Sequence, residues 1–245
     1  ANHVGTTANA CRPVIRQLFV EAGPGFEADQ DAFERKLYVI RRICELAAGP
    51  DMYIATFSSK TVVYKGLVAG ARLGDLYPDL REPRVRVPYA IFHQRYATNT
   101  QPTWRLAQPF RTIAHNGEIN TVRGNRAQVR GRLHDAPPRA GIAAHLGAAG
   151  SLLAEDGSDS QSLDELLELL VATGWDLGTA LLTAMPEALG LRRSPHPHVA
   201  ALRRRTAGFL APWDGPAAIV FGDGRRVGAI ADRNGLRPTA FAVTA

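Results

Sequence analysis

The sequence predicts an α+β fold built on antiparallel sheets, and three observations carry that prediction. Helical periodicity is concentrated in the middle of the chain, β-rich runs lie towards both ends, and the runs come in pairs joined by short polar or glycine-containing turns. Runs joined in this way make hairpins, whereas a parallel sheet needs a helix-length crossover between successive strands. No internal repeat stands out, and 245 residues can bury one sizeable core, so a single domain over residues 1–245 is expected.

The elements follow in order. Ile15–Val20 carries a weak strand signal and Glu21–Gly25 a turn. Asp31–Ala47 predicts an amphipathic helix, because Phe33, Leu37, Ile40 and Cys44 recur at helical spacing and Gly49-Pro50 stops it. Met52–Phe57 and Thr61–Leu67, parted by Ser58-Ser59-Lys60, predict a hairpin, and Ala71–Leu76 a short helical turn before Pro78. Tyr89–Gln94 and Arg111–His115 predict two strands, with Pro102 and Pro109 in the polar loop between them. Glu118–Arg132 reads as a helix with Gly124 as its weak point. An arginine-rich loop around Pro137-Pro138 and a small-residue, acidic loop over Ala149–Asp159 come next.

Ser160–Ala172 predicts a helix with Leu163, Leu166, Leu167 and Leu170 on one face, and both Ser158/Gln161 and Ser162/Glu165 have capping-box spacing. Leu177–Leu189, interrupted at Pro186, and His198–Phe209, basic on one side, are further helices. The pattern then switches to a hairpin, Ala217–Phe221 and Val227–Ala231 around Gly222-Asp223-Gly224. Asn234-Gly235 turns again into a strand over Thr239–Thr244.

Composition narrows the function classes. The chain is 45% hydrophobic and 21% charged, ordinary for a soluble globular protein. It has no apolar run of the roughly 18 residues a membrane span needs. The opening ANHVGTTANACRPVIRQ lacks the basic flank and apolar block of a signal peptide, so a cytoplasmic protein is expected. The net charge of +6 is carried mostly by arginine, in runs at Arg81–Arg86, Arg123–Arg132 and Leu202–Arg205. These runs are not interleaved with stacking aromatics, which argues against nucleic acid as a partner. The two cysteines, Cys11 and Cys44, belong to no C-x-x-C pair, so neither a disulfide framework nor a metal site is expected. Cys44 is expected in the core.

Candidate chemistry gathers where the strands of the 89–120 stretch end. Arg95 closes His93-Gln94-Arg95 and offers a planar fork of donors that matches a carboxylate. Asn116-Gly117 offers a side-chain amide and a main-chain N–H side by side, a pair able to hold a developing oxyanion. Both have plain alternatives, a solvated surface charge for the arginine and a tight turn for Asn-Gly. Asp159, in Ser158-Asp159-Ser160, sits where a carboxylate serves equally as a helix cap. His93 and His115 lie far apart and outside any metal-binding spacing, and Gly222-Asp223-Gly224 reads as a turn rather than a phosphate loop.

Longer blocks carry a resemblance. HQRYATNT, PTWRLAQPFR and IAHNGEINTVRGN, with YPDLR, SDSQSLDELLELL, PWDGPAAIVFGDGR and DRNGLRP, closely resemble the glutaminase domain of glutamate synthase large subunits. That domain is a class II glutamine amidotransferase of the N-terminal-nucleophile hydrolase type. The likeness covers the chain from about Phe33 to its end, and blocks of this length in this order are far more specific than a short motif.

The resemblance implies an αββα sandwich of antiparallel sheets. It implies hydrolysis of L-glutamine to L-glutamate and ammonia, with the ammonia channelled to 2-oxoglutarate. By motif position, Asn116 and Gly117 look like the oxyanion hole, Arg95 like the clamp on the glutamine α-carboxylate, and Asp159 like the acceptor for its α-ammonium. Thr98 and Asn99 would shape the same pocket. FMN and an iron–sulfur cluster are implied for the complete enzyme but not for this stretch. The implied partners are the remaining synthase domains and either a small NAD(P)H-oxidising subunit or ferredoxin.

The departures from the family pattern shape two further expectations. The family attacks with a cysteine at the mature N-terminus, whereas residue 1 here is alanine, and Cys11 is internal and followed by Arg12-Pro13. Pro186-Glu187-Ala188-Leu189 also lacks the aromatic that often follows the alanine. The sequence is therefore expected to be a domain truncated at both ends, with an incomplete sandwich and no glutaminase activity by itself. A glutamine-binding module without a nucleophile is the alternative from another class. A related amidotransferase acting on a sugar phosphate or a nucleotide precursor is another, since DRNGLRP also resembles the amidophosphoribosyltransferase glutaminase.

Overall fold

The computed structural model describes residues 4–95, 101–135, 153–188 and 196–244, with side chains omitted for 133–135. The loop expected around Pro137-Pro138, residues 149–152 of the loop expected over Ala149–Asp159, and the Leu189 end of the expected Leu177–Leu189 helix lie outside the described residues. The chain divides into two compact units, Ala1–Arg111 and Thr112–Ala245.

The first unit is built on helix and irregular chain. Helix α1 spans Thr6–Ala10, α2 Gln30–Ala48 and α3 Leu73–Leu76, with 3-10 turns at Gly49–Asp51, Gly70–Arg72 and Pro78–Arg81. Helix α2 matches expectation: Asp29 caps it by accepting from the Ala32 N–H at 2.8 Å, and Gly49-Pro50 ends it. Its buried face differs from the predicted one. Leu37, Tyr38, Val39, Arg41 and Arg42 are buried, whereas Ile40 is exposed and Cys44 only half-buried. The reason is electrostatic. The Glu45 carboxylate takes Arg41 and Arg111, each at 2.8 Å, and Arg42 at 3.5 Å, so these cations can leave water. A separate apolar cluster joins Val4, Leu67, Trp104 and Ala107, and the Trp104 Nε1–H donates to Ala8 O at 3.0 Å.

No strand forms among the described residues of this unit, which corrects four expectations. In Met52–Phe57 and Thr61–Leu67, backbone groups are taken by side chains rather than by a neighbouring strand. Ile54 N–H donates to Glu45 at 3.2 Å, and Ile54 O accepts from Arg111 Nε at 3.1 Å. Thr61 O accepts from Thr56 at 3.2 Å, and Lys65 O from the Tyr77 hydroxyl at 2.7 Å. Ile15–Val20 and Tyr89–Gln94 leave Phe19 89% and Phe92 84% exposed, so neither run buries the face that makes β-branched and aromatic residues good strand formers.

The second unit carries the α+β architecture. Strand β1 spans Ile113–Gly117, helix α4 Val122–Asp135, α5 Asp159–Ala172, α6 Leu177–Ala184 and α7 Pro197–Thr206, followed by β2 Ala217–Gly222 and β3 Val227–Ala231. The three strands form one antiparallel sheet in the order β1-β2-β3, with Asn116 opposite Ala218 and Ile219 opposite Ile230. The predicted β2-β3 hairpin is present, and Asp223 holds its turn by accepting from the Arg225 and Arg226 N–H groups at 2.8 and 2.7 Å. Thr239–Thr244 forms no strand, and its Phe241 is 93% exposed.

Helix α5 buries the expected Leu163, Leu166, Leu167 and Leu170. It also buries acids that satisfy distant backbone. Asp164 accepts from the Thr112 N–H and hydroxyl, both at 2.8 Å, and Glu165 from the Ala154 N–H at 2.8 Å. Helix α6 stops at Ala184 because Pro186 disfavours the helical conformation in the residue before it. Helix α4 begins four residues later than predicted, since the chain ahead of it is bonded elsewhere: Glu118 N–H to Pro216 O at 3.0 Å and Asn120 N–H to Asp214 O at 2.8 Å.

Candidate active site at the end of strand β1

Strand β1 is longer at its C-terminal end than predicted, so Asn116 and Gly117 pair within the sheet instead of forming a turn. The ladder fixes where their donors point. Gly222 N–H donates to Thr112 O at 2.9 Å, and Glu118 N–H to Pro216 O at 3.0 Å. Hydrogen-bonded pairs alternate along an antiparallel ladder, so Asn116 shares this set with Ala218, and Gly117 does not. The main-chain N–H of Gly117 therefore points away from β2, to the outer side of an outer strand. The Asn116 side chain is exposed, and the two donors stand on consecutive residues.

Glycine is required at the crossing. Gly117 has φ 126°, and a Cβ there would lie 1.9 Å from Pro216 O. Gly215 faces it with φ 154° and would place a Cβ 2.1 Å from Glu118 O. The chain after β1 and the Asp214-Gly215-Pro216 segment thus run against each other at backbone contact. Thr121 and Asn125 fasten this crossing. Thr121 Oγ1 accepts from the Asp214 N–H at 2.9 Å, and the Asn125 amide donates to Ala211 O and Pro212 O at 3.1 and 3.0 Å.

Asp159 reaches the same place from the first turn of α5. Its Oδ2 accepts from the Ile119 N–H at 2.8 Å, two residues beyond Gly117. Its Oδ1 accepts from Ser160 N–H at 2.7 Å and Ser160 Oγ at 3.2 Å. The cap of α5 is Ser158, whose hydroxyl accepts from Gln161 N–H at 3.1 Å, as the capping-box spacing predicts. Asp159 is thereby left for the chain after β1. Behind it, the buried His115 Nδ1 lies 2.6 Å from Ser160 Oγ. Arg126 of α4 secures the loop into α5, donating to Ser162 Oγ at 2.8 Å, Glu155 O at 2.9 Å and Gly157 O at 2.6 Å.

In the second unit Asp159 is held at Ile119, two residues beyond Asn116-Gly117. Arg95 belongs to the first unit, where it is exposed and precedes residues outside the described ones. Thr98 and Asn99 lie outside the described residues. Sequence reasoning missed the roles of Thr121, Asn125, Arg126, Asp214 and Asp232. Asp232 carried a signal, an acid ahead of Asn-Gly, which is the pattern of an Asx-type turn. Burial would raise its carboxyl, but the backbone N–H groups of Leu236, Arg237, Asn234 and Ala217 outweigh that and hold it below the ordinary aspartate range. Arg233 next to it donates to Asp214 Oδ2 and Pro186 O, both at 2.8 Å, which links the DRNGLRP and PWDGP blocks.

Among the described residues no three His, Cys, Asp or Glu side chains gather as a metal site would require. An iron–sulfur cluster does not fit this chain, since clusters are held mainly by several cysteine thiolates and the chain has two cysteines. The Gly222-Asp223-Gly224 turn does not fit the FMN phosphate, because Asp223 occupies its N–H donors with a carboxylate. No helix of the described residues is long and apolar enough to cross a membrane. Basic side chains take part in ion pairs, among them Arg130 with Glu155 at 2.8 Å and Arg84 with Glu82 at 2.8 Å.

Comparison with known proteins places these residues in context. The family model described as glutamine amidotransferases class-II matches residues 1–245. The chain is 39% identical over 245 residues to a protein named ferredoxin-dependent glutamate synthase 2 from Synechocystis sp., covering 98% of this chain and 16% of that protein. It is 40% identical over 249 residues to the glutamate synthase [NADPH] large chain of Azospirillum brasilense, again 98% of this chain and 16% of the relative. The large chain of the same name from Bacillus subtilis is 39% identical over 244 residues, with the same coverage of 98% and 16%. The chain therefore spans about one sixth of the length of these relatives.

Proposed function

The chain belongs to the class-II glutamine amidotransferases, and from that premise we propose that residues 1–245 act as the glutaminase domain of a glutamate synthase large chain. The reaction is hydrolysis of L-glutamine to L-glutamate and ammonia. The fold in this reading is the αββα sandwich of N-terminal-nucleophile hydrolases, of which the β1-β2-β3 sheet and α5 are parts.

Attack on the side-chain amide puts negative charge on its carbonyl oxygen. The Asn116 side-chain amide and the outward Gly117 N–H receive that charge, and the glycine crossing with Gly215 holds them in place before the reaction begins. Arg95 clamps the α-carboxylate, and Thr98 and Asn99 shape the pocket beside it. Asp159 accepts from the α-ammonium. An ionised carboxylate has about four acceptor sites. The Ile119 N–H and the two Ser160 donors occupy three of them. The nucleophile the family uses, an N-terminal cysteine whose α-amine serves as base, is not Cys11, which is internal and whose Sγ contacts Thr7 O and Ala8 O at 3.6 Å.

In the whole protein the ammonia passes to 2-oxoglutarate, with FMN and an iron–sulfur cluster held by other parts of the polypeptide. Ferredoxin or an NAD(P)H-oxidising subunit supplies reductant, and the compartment is the cytoplasm. The relatives' names support this reading of the donor classes.

The observation that carries the proposal is the outward Gly117 N–H beside the exposed Asn116, with Ile119 two residues on held by Asp159. Calorimetry of L-glutamine binding to the full-length gene product, beside an Arg95→Ala variant, tests it. Binding that is lost in the variant is expected. Equal binding by the variant would remove Arg95 from the site.

A further inference from the structure

We infer that His115 and Ser160 are positioning residues for the end of the site that receives the α-ammonium. They form a buried hydrogen-bond chain that runs from His115 Nδ1 to Ser160 Oγ and on to Asp159 Oδ1. The inference rests on the assignment of Asp159 made above.

The direction of the chain follows from where the Ser160 proton is placed. His115 Nδ1 and Ser160 Oγ are 2.6 Å apart, and Ser160 Oγ and Asp159 Oδ1 3.2 Å. His115 is 2% and Ser160 4% exposed, so water does not arbitrate between them. An ionised carboxylate only accepts, and a hydroxyl has a single proton to give. In the proposed chain the Ser160 proton goes to Asp159, and His115 then donates from Nδ1.

The chain joins two places that must be held in register. His115 directly precedes Asn116 on β1 and sits across from the buried Ile219 on β2. Asp159 and Ser160 open α5. The amide and the α-ammonium of glutamine lie at opposite ends of a short flexible methylene chain. A rigid link between the oxyanion strand and the ammonium acceptor sets the spacing at which both ends are met together. Ser160 also fixes which carboxylate oxygen stays turned inward, because its N–H and hydroxyl both hold Oδ1 while Ile119 holds Oδ2.

The test uses the full-length gene product and two substrates, L-glutamine and glutaramate, the analogue that lacks the α-amino group. The readout is the ratio of kcat/KM for glutamine over glutaramate, which a general loss of folding does not move. Ser160→Ala is expected to lower this ratio about tenfold, the effect of losing a hydrogen bond to a charged group. Asp159→Asn is the reference variant. If Asp159→Asn lowers the ratio and Ser160→Ala leaves it at the parent value, the inference falls while the role of Asp159 survives. If Asp159→Asn leaves the ratio at the parent value, the Asp159 assignment falls and this inference with it. A second pair covers the case in which Ser160→Ala does not fold. His115→Asn puts an amide N–H near the position of Nδ1, and His115→Gln puts one nearer Nε2. The asparagine variant is expected to keep more of the ratio, and equal ratios in the two would overturn the link through Nδ1.

Discussion

Gly117 shows at the scale of one residue how backbone geometry and chemistry meet. Its φ of 126° and the 1.9 Å approach a Cβ would make to Pro216 O leave no room for alanine. Gly117→Ala should cost at least the roughly 1–3 kcal/mol of a strained backbone position, read as a lower midpoint in thermal unfolding. A midpoint equal to the parent would contradict the crossing described for β1. The neighbouring Asn116 is exposed, and its replacement by alanine should change stability by no more than about 0.5 kcal/mol in the same measurement. The sequence singled out Asn116-Gly117 by its adjacent donors and Asp159 by motif position, and Asp159 is held at Ile119, two residues beyond that pair. Asp214, Asn125 and Arg126 were not singled out, because each acts on backbone far along the chain, Asn125 on Ala211 and Pro212 for example.

At the scale of the element, α5 was readable by its leucine face and its Ser158 cap, and both are present. Its buried Asp164 was not readable, since the donors it serves are those of Thr112. Asp164→Ala leaves those half-buried donors without their carboxylate, and should cost about 1–3 kcal/mol in urea unfolding, the penalty for unsatisfied polar groups. The strands of the first unit failed for the reason Asp164 succeeded. Glu45, Arg111 and Tyr77 take up backbone groups that a strand would have offered to a neighbour.

The turn after β3 adds a pH prediction. The Asp232 carboxyl lies below its ordinary value in the folded state, so it contributes stability above the unfolded value of about 3.9 and loses it as pH falls through the folded value. Asp232→Asn should therefore be less stable than the parent near neutral pH, and the gap should narrow at about pH 3. A gap that widens on acidification would contradict the set of N–H donors drawn around this group.

At the scale of the molecule, the two units draw on different physics. The second has the antiparallel sheet and helices that periodicity and hairpin turns foretold. The first gathers buried arginines around Glu45, a pattern hydrophobic periodicity cannot reveal. Glu45→Ala leaves buried cations without that carboxylate, and about 3–5 kcal/mol should be lost from the unfolding free energy. Family membership covers both units, residues 1–245, and is the ground of the proposed glutaminase reaction.

The most direct test of that reaction is the steady-state glutaminase activity of the full-length gene product beside its Asn116→Ala variant. The expected result is a fall in kcat of about 10²–10³-fold with KM for glutamine little changed, as for any donor that acts chiefly on the transition state. An unchanged kcat, or a loss confined to KM, would contradict the placement of the oxyanion hole at the end of β1.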